Sequence, residues 1–461
     1  MSSFTFTNLT RAVEIGANSY LLEIAGKRLV LDSGMHPKVD GIGGLPNHSL
    51  VADGSIDAIL LSHAHQDHIG SLPVLQRRQP QAPVFMTEAT RHLGDVMLHN
   101  SVNVMLKKRE EGFTEYPHFA HRELDTAKKR WRSVPLRTRF DVEGNRLPAN
   151  EEVPLSIEYF DAGHILGAVG TLIRAHGRRI FYTGDVQFDD QTVMQAARFP
   201  TEPVDVLIME TTRGDRAALE GFTRAAEEER LAAAIQAAFD RGGSALIPTF
   251  ALGKTQEVLA MLHGFRRRGL LSQDCPIYIG GLGAKLTEIH DRLSGQTPRR
   301  EPDLRLLDAV APFVMSGEGA GLTPIKPRRI YALSSGMMSE NTLSNVFARQ
   351  VLSAREHSLI FIGYADPQSP AGRLRETEPG GAVQLGKDAA PQPLLCTVEK
   401  LNFSGHASRE TLRAYANKLR PKKIVLVHGD AAAVEWFRAT LSADLPGTEV
   451  LTPTPGVALE L

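Results

Sequence analysis

The residues best suited to chemistry lie in the segment His63-Ala-His65-Gln-Asp67-His68, which holds three imidazoles and a carboxylate within six positions. It follows an apolar run at 56–62, which is typical of a buried strand, and precedes a predicted helix at 69–76. In extended backbone His63 and His65 point to the same side, and Asp67 and His68 then fall at the start of the helix. One short segment can therefore offer ligands to two metal ions about 3.5–4 Å apart.

Two further residues that could bind metal follow predicted strands later in the chain. His164 follows Phe-Asp-Ala-Gly after one strand, and Asp185 follows Phe-Tyr-Thr-Gly after another. Either residue alone would be interpreted as an ordinary loop residue. Their position at strand ends, in this order behind the histidine segment, instead favours a metal site.

The pattern predicts two ligand sets joined by one carboxylate. The first ion takes three neutral nitrogens, from His63, His65 and His164. The second takes Asp67 and His68, and Asp185 bridges the two ions through separate oxygens. Mixed nitrogen and oxygen ligands of this kind favour zinc, with manganese as the alternative.

Short apolar strands must position these residues. The pattern predicts a hairpin at 20–32 and strands at 58–62, 83–87, 156–160, 170–174, 179–183 and 204–209. From residue 223 helices and strands alternate, which is typical of a parallel sheet covered by helices. The last strands are too few to form their own core. We therefore expect them to complete the sheet begun at the N-terminus, with the middle of the chain as an inserted domain.

Composition excludes several classes of protein. The chain has 461 residues, of which 42% are hydrophobic and 23% charged, with a net charge of −1. That charge leaves a nucleic-acid partner open, because a local groove can carry the electrostatics. Its two cysteines, Cys275 and Cys396, are far apart, which argues against a disulfide framework. Without a secretory leader or an apolar stretch of about 20 residues, we expect a cytoplasmic protein with no membrane partner.

The predicted ligands, with Leu31-Asp32-Ser-Gly34 before them, resemble the motif series of the metallo-β-lactamase fold. Three later segments resemble motifs A, B and C of its β-CASP nuclease branch, which contains ribonuclease J and the endonuclease subunit of mRNA 3′-end cleavage. These segments are Met209-Glu-Thr-Thr-Arg-Gly-Asp-Arg216, Ser404-Gly-His-Ala-Ser408 and Leu426-Val-His-Gly-Asp430. The resemblance covers essentially the whole chain. It implies an α/β protein with two domains. The αββα sandwich of the metallo-β-lactamase fold would comprise residues 1–210 and 396–461, and an inserted α/β β-CASP domain would comprise residues 211–395.

The resemblance also implies roles for individual residues. Glu210 would orient His406, His406 would be the general acid, and His428 would complete the second zinc site. Asp67 is the nearest candidate for the general base. The implied activity is a zinc-dependent ribonuclease with two metal ions, acting on single-stranded RNA in RNA processing or decay. The chemistry agrees, because two metals activate water and a histidine can protonate the departing 3′ oxygen.

Two loops of the insertion are candidates for substrate binding. Gly253 and Lys254 open a predicted helix and could receive a phosphate, although Pro248 replaces the glycine that a nucleotide-binding loop requires. Ser335 and Gly336 lie in a segment that resembles a phosphate-binding loop of the family. The residues that follow, at 337–342 and 365–373, depart from the family pattern.

Three other functions compete with the ribonuclease. A DNA nuclease of the same superfamily is less favoured, because DNA-processing members tend to have an apolar residue at the position of His428. A hydrolase of another phosphodiester or of a small molecule would not need the motif histidines or the large insertion. A catalytically silent scaffold would have lost ligands that this chain retains. A homodimer and a protein complex both stay open as assemblies.

Overall fold

Successive side chains of the hairpin strands pack into two different apolar clusters, one on each face of the sheet. In the hairpin strand Lys27–Leu31, Leu29 and Leu31 pack into one apolar cluster and Val30 into another on the opposite face. This period of two requires apolar partners on both sides of the sheet. The computed structural model describes residues 4–148, 151–316, 323–387 and 389–461.

The strands, in chain order, are β1 Thr5–Asn8, β2 Tyr20–Ile24, β3 Lys27–Leu31, β4 Ala58–Leu60, β5 Val84–Met86, β6 Trp131–Ser133, β7 Arg139–Phe140, β8 Leu155–Asp161, β9 Val169–Ala175, β10 Arg178–Tyr182, β11 Val206–Glu210, β12 Ala245–Pro248, β13 Ile277–Gly280, β14 Phe313–Met315, β15 Ile330–Leu333, β16 Ser358–Phe361, β17 Ala382–Val383, β18 Gln392–Pro393, β19 Thr397–Lys400, β20 Lys423–Val427, β21 Glu449–Leu451 and β22 Ala458–Glu460.

The α-helices are α1 Gln66–Ile69, α2 Leu72–Arg78, α3 Glu88–Glu110, α4 His121–Ala127, α5 Arg224–Asp240, α6 Lys254–Arg267, α7 Gly281–Arg292, α8 Leu306–Val310, α9 Leu343–Val351, α10 Pro370–Glu376, α11 Arg409–Leu419 and α12 Ala431–Asp444. Within the described ranges, none of the helices combines the length and the apolar character needed to cross a membrane.

The chain divides into two units. The first, which we call the sandwich unit, holds the described residues up to 190 together with 196–218 and 406–461. It contains two seven-stranded sheets, in the orders β22-β1-β2-β3-β4-β5-β6 and β21-β20-β11-β10-β9-β8-β7. Side chains from both sheets share one buried cluster, while α2, α3 and α4 cover the outer face of the first sheet and α12 packs on β20 of the second. This is the αββα sandwich of the metallo-β-lactamase fold.

The C-terminal strand completes the first sheet, as the sequence predicts. β22 pairs antiparallel with β1, so that Thr5 faces Glu460. β20 pairs in parallel with β11 in the second sheet, with Glu210 opposite Val427. The last part of the chain is therefore part of the sandwich unit.

The second unit, which we call the insertion unit, comprises residues 191–195 and the described part of 219–405. Its six-stranded sheet has the order β14-β13-β15-β12-β16-β19, and every pairing within it is parallel. Helices α5, α6, α7 and α9 pack on these strands. The predicted parallel sheet covered by helices is confirmed.

One detail differs from the sequence-based prediction. The helix expected at 69–76 begins earlier, at Gln66, and is broken at Gly70 and Ser71 because Pro73 starts a new helix at α2. The insertion unit spans residues 219–405 and the predicted inserted domain spans 211–395; the predicted domain borders stay a prediction. Residues from 211 bond back to β20, through Thr211 N donating to the His428 carbonyl, and β19 pairs with β16.

Candidate metal centre

Four side chains of the sandwich unit converge as a first ligand group, which we define as His63, His65, His164 and Asp185. His65 Nδ1 lies 3.1 Å from both His63 Nε2 and His164 Nε2. Asp185 Oδ2 lies 3.6 Å from His63 Nε2 and 3.7 Å from His164 Nε2. These residues come from the ends of β4, β8 and β10, which lie in two different sheets.

A tight turn carries Asp185 into this group. The turn follows β10, and its Gly184 has a φ of +53°. A Cβ at this glycine would lie 2.8 Å from the Cβ of Ser62, which directly precedes His63. Glycine therefore allows the loop of Asp185 to approach the histidine segment closely.

The second ligand group consists of Asp67, His68 and His428. Asp67 Oδ2 lies 3.3 Å from His428 Nε2 and 3.8 Å from His68 Nε2. Asp67 and His68 lie in α1, and His428 follows β20 with a φ of +49°. The structure thus brings together all seven residues that were predicted as metal ligands.

Asp185 faces both groups with different oxygens. Its Oδ2 points to the first group, whereas its Oδ1 lies 3.0 Å from His428 Nδ1 and 3.3 Å from His68 Nε2. Asp185 is only 2% exposed, and its Oδ1 has no hydrogen-bond donor of acceptable geometry among the described residues. A buried carboxylate oxygen of this kind fits a cation as its partner.

The distances in the first group fit a tetrahedral metal ion. Ligand atoms at about 2.0–2.2 Å from such an ion lie roughly 3.3–3.6 Å apart. The observed separations of 3.1–3.7 Å span this range. The first group is therefore suited to bind a metal ion.

Asp32 contacts the metal-ligand candidate His68 and two neighbouring hydroxyl groups. Its Oδ2 accepts hydrogen bonds from the Ser62 hydroxyl at 2.7 Å and the Tyr182 hydroxyl at 2.6 Å, and it lies 2.8 Å from His68 Nδ1. The contact with Nδ1 leaves His68 Nε2 to face Asp67 and Asp185. A carboxylate behind a histidine ligand typically fixes the orientation of the ring.

The sequence analysis did not identify Tyr182, Asn18 or Tyr20 as functional residues. Asn18 is fully buried, and its Nδ2 lies 3.2 Å from His68 Nε2. The Tyr20 hydroxyl donates to Asn18 Oδ1 at 2.9 Å. Their positions in or beside a strand give no chemical signal, because a tyrosine or asparagine there is usually structural.

The pKa values of two histidines in each group are shifted in opposite directions. Burial lowers the pKa of His63 well below its usual value and lowers that of His65 to about 4. Burial also acts on His68 and His428, but nearby carboxylates, Asp185 foremost, outweigh it. They raise the pKa of His68 and raise that of His428 to about 10.

His406 and Glu210 form a separate pair next to the metal ligands. His406 Nδ1 lies 3.0 Å from Glu210 Oε2, and its Nε2 lies 3.9 Å from Asp185 Oδ2. Glu210 is 1% exposed and accepts a hydrogen bond from the Val186 N–H at 2.6 Å. The side chain of His406 is 23% exposed. The geometry thus offers a carboxylate that fixes one ring nitrogen and an accessible second nitrogen that can exchange a proton.

The candidate substrate-binding residues lie in two adjacent loops of the insertion unit. Gly253, with a φ of +84°, caps α6, and the Lys254 ammonium donates a hydrogen bond to the Phe403 carbonyl. Gly336 lies against the ring of Phe250, which brings the two loops together after the neighbouring strands β12 and β15. The Ser335 hydroxyl accepts a hydrogen bond from the Ser339 N–H at 3.1 Å. That these residues bind substrate stays a prediction.

The sequence matches three family descriptions in succession. Residues 38–249 match "Beta-lactamase superfamily domain", residues 255–374 match "Beta-Casp domain", and residues 391–453 match "Zn-dependent metallo-hydrolase RNA specificity domain".

Relatives with similar sequences carry names from mRNA 3′-end processing. The chain is 27% identical to "Cleavage and polyadenylation specificity factor subunit 3" of Dictyostelium discoideum, over 97% of this chain and 56% of the relative. It is 27% identical to "Endoribonuclease YSH1" of Eremothecium gossypii, over 100% of this chain and 60% of the relative. The chain therefore spans little more than half the length of these relatives.

A solved structure shares the fold. A protein of unknown function from Enterococcus faecalis V583 aligns over 100% of both chains with a TM-score of 0.55 and 15% sequence identity.

Proposed function

Since the chain belongs to the β-CASP family of the metallo-β-lactamase fold, we propose that it is a zinc-dependent ribonuclease that hydrolyses RNA phosphodiester bonds in RNA processing or decay. The observation that carries the proposal is the position of Asp185. One buried carboxylate reaches His63 and His428, which belong to different ligand groups, and also lies 3.9 Å from His406. A proton donor beside a paired metal site is what hydrolysis of a phosphodiester requires.

We propose two zinc ions as the resident metals, with manganese as the alternative. Imidazole nitrogens combined with carboxylate oxygens are the donor set that supports zinc. When bound, two such ions lower the pKa of a coordinated water and offset the negative charge of a phosphodiester. The side chains that would hold them are His63, His65, Asp67, His68, His164, Asp185 and His428.

His406 would deliver the proton that the departing 3′ oxygen needs. Glu210 lies against Nδ1 and would stabilise the doubly protonated ring, so that Nε2 carries the proton toward the leaving oxygen. Asp67, with a side chain that is 21% exposed, is the candidate general base. Metal binding and proton transfer would thus reside in different residues.

RNA is proposed as the substrate rather than DNA. The name "Endoribonuclease" of several relatives supports RNA, as does the retention of His428. We propose that Gly253, Lys254, Ser335 and Gly336 contribute to substrate binding. A DNA nuclease with the same metal chemistry is the alternative.

A direct test compares 5′-labelled single-stranded RNA with DNA of the same sequence. The purified protein should contain about two zinc ions per chain. It should cleave the RNA and leave the DNA intact. Removal of the metal by a chelator should abolish cleavage, and added zinc or manganese should restore it. Intact RNA at full zinc content, or preferential cleavage of DNA, would contradict the proposal.

We also propose that the protein acts in an assembly and in the cytoplasm. The word "subunit" in the name of the Dictyostelium relative supports a protein complex, and a homodimer is the alternative. Cys275 and Cys396 are both buried free thiols, which supports a reducing compartment. Light scattering of the purified protein and fractionation of cells test the two points.

A further inference from the structure

Arg213 occupies an unusual electrostatic position in the sandwich unit. It lies three residues after Glu210, in the loop that follows β11, and it is partly buried. Its Nη1 donates a single long hydrogen bond, 3.4 Å, to the backbone carbonyl of His406. Among the described residues, no carboxylate oxygen lies within 4.0 Å of its guanidinium. The guanidinium is therefore held beside the proton-transfer pair without an anionic partner.

Other arginines in the same region do have partners. Arg216 Nε lies 3.1 Å from Asp215, and Arg409 Nε lies 3.1 Å from Glu410. Burial lowers the pKa of Arg213, and the positive charge of Arg216 adds to this effect. The more distant carboxylates of Glu210, Glu410 and Asp215 offset these effects only in part. A partly buried arginine with no carboxylate in direct contact carries a desolvation cost that an anionic ligand would reduce.

The loop that bears Arg213 is held in place on both sides. Thr212 Oγ1 lies 3.0 Å from His428 Nδ1, and the Thr211 N–H donates to the His428 carbonyl at 3.1 Å. Gly214 packs so closely on α12 that a Cβ there would lie 2.3 Å from the Ala433 carbonyl oxygen. The backbone of Arg213 is thus fixed between a metal-ligand histidine and a helix.

From this geometry we propose that Arg213 binds a backbone phosphate of the RNA, the one immediately 5′ to the scissile phosphate; this rests on the proposed ribonuclease function. In an in-line displacement the attacking and leaving oxygens lie on opposite sides of phosphorus. His406, as the donor to the 3′ oxygen, marks the side of the upstream nucleotide. The Arg213 guanidinium donates to the backbone carbonyl of His406, which places it beside this residue, and the proposal assigns it to the same side. A guanidinium is well matched to a phosphate, because it offers several N–H donors in one plane.

The test pairs substitutions in the protein with neutral phosphates in the RNA. Once the cleavage site is mapped, a methylphosphonate replaces either the phosphate 5′ to the scissile bond or the phosphate 3′ to it. Arg213→Gln should lower kcat/KM on unmodified RNA by roughly 10- to 100-fold, the range for a hydrogen bond to a charged group. Arg216→Gln, in the same loop but exposed and paired, is the matched control and should stay within about threefold of wild type.

The combination of both changes identifies the phosphate. The 5′ methylphosphonate should slow the wild-type protein as much as Arg213→Gln does and should slow Arg213→Gln no further. The 3′ methylphosphonate should slow both proteins by the same factor. Two results would overturn the assignment. One is an equal rate for wild type and Arg213→Gln on unmodified RNA. The other is a rate for Arg213→Gln on the 5′-modified RNA that is lowered by the product of the two separate losses.

Each failure has a distinct meaning. If the wild-type protein cuts the 5′-modified RNA as fast as unmodified RNA, the assignment is wrong whether or not Arg213→Gln folds. If the zinc-loaded wild-type protein cuts no RNA at all, the ribonuclease function fails and the assignment fails with it. Zinc content of Arg213→Gln should equal that of wild type, because Arg213 is not a ligand, and a loss of zinc would overturn a purely substrate-binding role.

Discussion

The two ligand groups share Asp185 but differ in the charge around their histidines. His63 and His65 face mainly one another and His164, and burial keeps their pKa values low. His68 and His428 are equally buried, yet Asp185 and Asp67 raise their pKa values. Both groups place histidines in the interior of the sandwich unit, so the placement of carboxylates accounts for the opposite pKa shifts.

This difference has a consequence for metal binding. The first group presents neutral nitrogens that can bind an ion directly. The second group holds protons between its histidines and carboxylates, and an ion must displace them. The two groups are thus expected to differ in pH dependence while remaining joined through one aspartate.

The largest effect should come from removing the shared carboxylate. Asp185→Asn removes the carboxylate that the two groups share, so zinc binding should weaken in both and RNA cleavage should fall by more than the roughly 10²–10⁴-fold expected for a general acid. Zinc content and cleavage rate measure this. Asp205→Asn is the control, because Asp205 pairs with Lys422 and is not part of either group. Full zinc content in Asp185→Asn would mean that the two groups are independent.

The next effect separates proton transfer from both groups. His406→Ala should lower cleavage by about 10²–10⁴-fold while zinc stays near the wild-type level, since neither group needs His406. A phosphodiester with a nitrophenolate leaving group, which needs no proton, should be cleaved at a nearly normal rate. His428→Ala should instead lose metal from the second group as well as activity. Loss of zinc from His406→Ala would place His406 among the ligands.

The ligands could be predicted from the sequence because their signals are local. Two histidines at a spacing of two after a strand point the same way in any sheet. The approach of His164, Asp185 and His428 depends on the pairing of distant strands. Order along the chain and placement at strand ends suggested His164 and Asp185, whereas only the resemblance to a family suggested His428. The αββα sandwich and the parallel sheet of the insertion followed from the same combination of periodicity and resemblance.

The supporting residues could not be predicted because their partners are far along the chain. Tyr182 and Asp32 are separated by 150 positions, and nothing near Tyr182 distinguishes it from Tyr159, which is also a buried strand tyrosine. Arg213 is similar, because its lack of a carboxylate partner is visible only after folding. The break between α1 and α2 was missed because the apolar pattern continues across it, whereas Pro73 and the preceding Gly-Ser decide the backbone.

The two ligand groups should release different numbers of protons when they bind metal. Without metal, the pKa of His428 is about 10, so below pH 10 this ring is protonated and must lose a proton to become a ligand. The pKa of His68 is raised as well, so the affinity of the second group should rise by about tenfold or more per pH unit between pH 7 and 9. The pKa of His65 is about 4 and that of His63 is well below its usual value, so these two rings are already unprotonated in this range and the affinity of the first group should change little.

Calorimetric titration of the metal-free protein in buffers of different ionisation enthalpy counts these protons. The step for the second group should release about one proton or more, and the step for the first group none. His428→Ala, as the control, should show a single binding step without proton release. Equal release at both steps would remove the distinction between the groups.

The smallest effect should come from a hydroxyl two contacts away from the metal ligands. Tyr182 donates to Asp32 Oδ2 at 2.6 Å, and the same oxygen lies 2.8 Å from His68 Nδ1. Tyr182→Phe removes one hydrogen bond to Asp32, so Asp32 should fix the orientation of the His68 ring less firmly. Metal binding by the second group should then weaken a few-fold. This loss of metal affinity is smaller than the roughly 10–100-fold loss that is typical when a residue in direct contact with a metal ligand is replaced. The first group should be unaffected.

Tyr159→Phe is the matched control for this substitution. Tyr159 is also buried in the sandwich core, and its hydroxyl donates to the Phe85 carbonyl at 2.9 Å rather than to Asp32. Both variants lose one buried hydrogen bond and should lose about 1 kcal/mol of unfolding free energy. Only Tyr182→Phe should change metal affinity, measured by titration of the metal-free protein beside a thermal melt. If both variants lose affinity equally, the tyrosine acts through stability alone and the chain from Tyr182 to His68 does not tune the second group.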